Sequence, residues 1–192
     1  RGATVGRAAD PMSDTYGGLG MNVWEARDAW VAVRVAHGYD PVAQPLLSVP
    51  DSNVKIDLNA VPTWSLSLAP ASESGVANVC PASTPQCREA TIFAMEHPLA
   101  FLTLLTHEVE RLSRRHVEFG LRLNVASDIR WERVAPWLFT ISGVMAYDYT
   151  KWTHKARCTA PANYRLTYSH TERWTDADVL EHVQAGRNVA MV

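Results

Sequence analysis

Cysteine is scarce in this chain: three residues, Cys80, Cys87 and Cys158, in a sequence of 192. The number is odd and too small for a disulfide scaffold. No basic start followed by an apolar stretch marks a secretory signal, and the opening at Arg1 rather than Met reads as a trimmed start. A reducing compartment, where thiols stay free or bind metal, is the resulting expectation. Long apolar runs are missing too. The longest candidate, Ala94 to Leu105, is broken by Glu96, His97 and Pro98, well short of the roughly 20 apolar residues that span a bilayer, so no membrane role is expected. Nor does one sign of charge dominate. Lys and Arg number 18, Asp and Glu 20, and the formal net charge is −2. That balance excludes a global basic field for nucleic acid and leaves only a local patch open. There is no H-E-x-x-H, G-x-S-x-G, Walker loop or dinucleotide fingerprint. The Tyr16–Gly20 stretch YGGLG has no strand before it and reads as a flexible turn.

What is present suits one substantial folded domain: 47% hydrophobic and 20% charged residues can bury a sizeable core. Residues 1–62 read as an N-terminal arm. They comprise a Gly- and Ala-rich start, one helix over Val23–His37 and a connector holding Pro41, Pro45, Pro50 and Pro62. Residues 63–192 read as the α/β domain, open to truncation inside a last strand, NVAMV. Within it TWSLSLAP, FGLRLN, GVMAYDY and YRLTYS alternate as strands. HPLAFLTLLTHEVERLSRRH is the strongest helix, WERVAPWLFTIS a short one disturbed by Pro136, and TDADVLEHVQAG a helix stopped by Gly186. Alternation of this kind predicts a mainly parallel sheet, either a partial (β/α) barrel or a doubly wound sheet.

Ligands of such sheets sit at the carboxyl ends of the strands. Each predicted strand changes there from apolar alternation to hydrogen-bonding side chains. The first enters the Cys80–Cys87 loop, the second ends in Asn124, Ser127 and Asp128, the third in Asp148 and Lys151, and the fourth in Ser169. Asn124, Ser127, Asp128 and Ser169 are the candidate substrate contacts. Asp148 is a candidate general base if burial raises its pKa, and Lys151 a candidate anchor for an anion. Helix capping accounts for part of this polarity, above all at Thr175 and Asp176.

Cys80 and Cys87 are separated as C-x6-C, which is neither a zinc knuckle nor a redox C-x-x-C pair. As metal ligands they would need Cys158 to join, with a histidine or an external ligand, to complete a site; as ordinary loop residues or an air-formed disulfide they need nothing. Three thiolates on a four-iron cluster would leave one iron open. The basic, aromatic stretches YDYTKWTHKAR and NYRLTYSHTERW suggest a second class of function: a nucleic-acid or host-protein contact through Lys151, Trp152, Arg157 and Arg165.

The blocks TWSLSLAPASESGVANVCPASTPQC, LRLNVASDIRWERVAPWLF, YDYTKW, NYRLTYSHTE and NVAMV resemble, in the same order, those of the mycobacteriophage gene product 88 family, over roughly Asp51 to Val192. The resemblance implies a phage protein acting in the cytoplasm of the infected bacterium and carries no activity with it. The family's cysteine loop is similar to those of iron–sulfur proteins with a radical S-adenosylmethionine-like partial barrel, an analogy of fold. It implies an iron–sulfur cluster and S-adenosylmethionine as cofactors. Some relatives of that wider group are associated with phage or plasmid DNA replication, which implies nucleic acid as a partner in place of a small molecule. The chain departs from the family pattern in having Thr91 where a further cysteine is usual, and in a shorter segment between Thr91 and the helix entered by EHP.

Overall fold

The computed structural model describes residues 19–42, 44–50, 61–68, 85–172 and 174–191. The start of the expected N-terminal arm, part of its connector, and the loop carrying Cys80 lie outside them.

Helix α1 spans Val23–Ala36, opened by a capping box in which the Asn22 side chain accepts from Trp24 and Glu25 N–H. Helix α2 spans Pro85–Glu96 and α3 Pro98–Ser113, with His97 between them and Pro98 at the first helical position. The three helices pack together through Trp30, Phe93, Phe101, Leu105, Val109 and Leu112. The Trp30 and Phe93 rings stand 4.8 Å apart. A buried ion pair, Arg34 with Glu89, joins α1 to α2. The proline-rich connector is held down by Glu108 of α3, whose carboxylate accepts from Leu46 N–H at 2.8 Å and Leu47 N–H at 2.9 Å.

Strands β1 Thr63–Ser65, β2 Phe119–Arg122, β3 Val144–Thr150, β4 Tyr164–Ser169 and β5 Asn188–Ala190 form one sheet in which every neighbouring pair is parallel. Short helix α4, Trp131–Val134, and a 3-10 turn at Pro136–Thr140 connect β2 to β3. A 3-10 turn at His154–Arg157 lies before β4, and helix α5, Asp176–Gln184, before β5. The spatial order β1-β2-β3-β4-β5 follows the chain without reversal. A doubly wound sheet reverses at a switch point; this one does not, and has the sequential order of a (β/α) barrel segment.

Register assigns the two faces. Phe119 and Leu121 of β2 stand opposite Val144 and Ala146 of β3, and Ala146 opposite Tyr164 of β4. These residues belong to the core shared with α1, α2 and α3. The alternate positions, Arg122, Met145, Tyr147, Tyr149, Arg165, Thr167, Ser169 and Asn188, occupy the other face.

The cysteine loop expected between the first strand and the next helix is corrected at Cys87. It is 7% exposed, inside α2 rather than in a loop. Thr91 and Ile92 run through the same helix without a break. PQCREATIFAME has no strong helical stripe; Ala90 and Phe93 hold it by packing into the core.

Candidate ligand site at the strand carboxyl ends

The end of β2 is tied to β3 and β4 by a buried carboxyl group. Asp148 Oδ1 accepts from Asn124 N–H at 2.8 Å and Oδ2 from the Tyr164 hydroxyl at 2.7 Å. Asp148 is 1% exposed. Burial pushes its pKa up to about 7, against the lowering effect of those two hydrogen bonds and of Arg122 and Arg157. The Tyr164 hydroxyl is raised in turn by burial and by the neighbouring Asp148 charge, and its ring stacks on Phe139 at 4.6 Å.

Asn124 shapes the turn that follows β2. Its side-chain oxygen accepts from Ser127 Oγ, Ile129 N–H and Trp131 Nε1, while its amide donates to Ile129 O. Asp128 then takes up three groups from the end of β3 and beyond. Thr150 Oγ1 donates to it at 2.8 Å, Lys151 N–H at 2.7 Å and Arg157 at 3.3 Å. Arg157 is fully buried, with its Nε 2.8 Å from Glu132 Oε1 and its NH2 donating to the Tyr164 hydroxyl at 3.1 Å. The Nε and Glu132 oxygens meet as an ion pair by distance, without the alignment of a directed hydrogen bond.

Above this network lies a cleft of about 200 Å³ lined by Arg122, Asn124, Ser127, Asp128, Tyr149, Thr150, Lys151 and Ser169, among others. Lys151, Asn124, Ser127, Asp128 and Ser169 are thus brought together at its walls. Asp148 lies beneath them, on the helix-packed face, with both oxygens engaged. Arg157, a contact residue in the nucleic-acid expectation, is corrected: it is an internal cation clamped by Asp128 and Glu132, with no side-chain surface to offer. Trp152 is half-exposed, donates to Asp128 O at 2.8 Å and carries the Arg130 guanidinium 4.5 Å above its ring.

Arg122 was not foreseen. The alternation of Leu121, Arg122 and Leu123 was the available signal, since it turns Arg122 away from the core. Its guanidinium stands 5.3 Å from the Tyr149 ring centroid and 6.0 Å from that of Tyr147. Its buried Nε has no hydrogen-bond partner, and it joins no ion pair among the described residues. It acts on the Asp148 carboxyl through space, lowering its pKa, without forming an ion pair with it. A second groove, about 210 Å³ between α1 and α3, is lined by Trp24, Arg27, His107, Glu108 and Arg111, away from the strand ends.

Among the described residues no three of His, Cys, Asp and Glu are placed to hold a metal ion. Cys87 is buried in α2 and Cys158 is exposed just past the 3-10 turn; Cys80, the other expected ligand, lies outside the described residues. Among the described residues no helix is long and apolar enough to cross a membrane.

A family model described as gene product 88 matches residues 88–192, a little over half of the chain. No curated protein and no solved structure matches the chain.

Proposed function

The chain belongs to the phage gene product 88 family, and we propose that this member binds a small anionic ligand in the cleft at the carboxyl ends of β2, β3 and β4. One observation carries the reading: Arg122 lines that cleft as a half-buried cation with no carboxylate partner among the described residues and a buried Nε that bonds to nothing. A cation partly removed from water is costly unless an anion or an acceptor meets it. Its position over Tyr149 and Tyr147 recovers part of that cost through cation–π attraction and leaves the guanidinium edge for an incoming oxyanion. Lys151 supplies a second charge at the rim; Ser127, Thr150 and Ser169 supply hydroxyls. Asp148 contributes by fixing Asn124 and Tyr164, so its role in this reading is positioning rather than general base.

Inorganic pyrophosphate is a suitable probe. Isothermal titration at low salt should show saturable binding, weakened at least tenfold in Arg122→Ala and less in Lys151→Ala, with unchanged melting temperatures. Absence of saturable binding, or binding indifferent to Arg122, overturns the proposal.

An iron–sulfur enzyme using S-adenosylmethionine is the other reading, with Cys80 and Cys87 as ligands and Cys158 as a third. It rests on the cysteine spacing and the family resemblance.

A further inference from the structure

Sheets whose strands are all parallel are ordinarily covered on both faces. Here, among the described residues, the helices lie on one face and no helix or strand covers the other over β2 to β5. Met145 is 48% and Tyr149 45% exposed there, and Arg165 and Asn188 are exposed beside them. Arg122, next after the Leu121–Ala146 pair, lies over the Tyr147 ring, and the register aligns Tyr147 with Arg165 and Tyr149 with Thr167. It places Thr167 opposite Asn188 and Ser169 opposite Ala190. Across those strands the described residues of this face are therefore two arginines, two tyrosines (Tyr147 already in contact with another group), hydroxyls and an amide, with no carboxylate among them. The β1 end of the same face is closed, with Thr63 and Ser65 buried.

Such a face is a poor seat for an apolar partner, because among the described residues of β2 to β5 its only aliphatic side chains are Met145 and Ala190. It complements a chain of negative charges interspersed with flat rings. The open strip from β2 to β5 is about 14 Å wide at ordinary strand spacing, and runs on from the cleft to Arg165 and Asn188. A ligand seated only in the cleft would leave those groups unmet. Resting on the anion-binding reading of the cleft, we infer that the ligand is single-stranded nucleic acid. One phosphate would sit at Arg122 and Lys151, a base would stack on Tyr149, and the strand would continue across the open face past Arg165. This surface differs from the one expected from sequence, since Arg157 takes no part in it.

Fluorescence anisotropy with a labelled twelve-residue oligothymidylate tests the inference, with pyrophosphate titration run in parallel. The expected result is oligonucleotide binding that weakens with salt, falls about tenfold in Tyr149→Ala, and loses about one unit of salt slope in Arg165→Ala. Duplex DNA of the same length, whose bases are already stacked, should bind more weakly. If pyrophosphate binds through Arg122 but the oligonucleotide does not, the nucleic-acid inference falls and the anion cleft stands. If neither binds, both fall. Oligonucleotide binding unchanged by Tyr149→Ala and Arg165→Ala, or equal binding of duplex, overturns the open face as the contact surface.

Discussion

Burial holds the folded Asp148 carboxyl near pH 7, whereas an ordinary aspartate titrates near 3.8. Between those values the folded protein binds a proton that the unfolded chain has released, so this group makes unfolding free energy fall as pH rises through the interval. Its stabilising contribution is complete below about pH 4 and lost by about pH 7. Asp148→Asn should remove that contribution, leaving a flatter profile in urea unfolding measured across pH 4–8; parallel profiles for the two proteins would show that the carboxyl ionises freely in the fold. The same residue shows the limit of sequence at this scale. A polar residue near the end of an alternating strand is visible as a candidate, but strand parity turns Asp148 toward the helices, with Val144 and Ala146. Arg157 was obscured for a related reason. In KWTHKAR it looks like one more solvated cation, and only the fold brings Asp128 and Glu132 against it.

Strand pairing sets the requirement at Gly120. A Cβ there would collide with the Thr63 side chain on the adjacent strand, and overpacking of this kind costs about 1–3 kcal/mol. Gly120→Ala should lower stability by that order in chemical denaturation, and adding Thr63→Ala should recover part of the loss. Gly143, by contrast, is required for its backbone: at φ +80° it turns the chain into β3 beneath Val117 O. Elements of this sort were legible where period and punctuation agree. Phe119 and Leu121, or Val144 and Ala146, alternate as strands must, and Pro98 marks the start of α3. Helix α2 was hidden because Thr91 and Ile92, β-branched residues of modest helix propensity, sit at its middle, and because it has no strong apolar stripe. Its stability comes from contacts with α1 and α3 that no local window contains.

Across the whole molecule, alternation of elements foretold the parallel sheet, whose strands take their places in chain order. If the protein holds a cluster, Cys80→Ser, Cys87→Ser and Cys158→Ser should each lower iron and sulfide per chain; anaerobically purified wild type without iron removes the cluster reading. The partition of the sheet into a packed face and an open one has a consequence for how this protein can change. Asp148, Asn124, Asp128 and Arg157 hold one another, so a replacement at any of them disturbs several loops together. Arg122, Tyr149 and Arg165 project from the opposite side of the same strands and hold little else in place. Selection can therefore rewrite what the sheet recognises, one side chain at a time, without renegotiating how it folds.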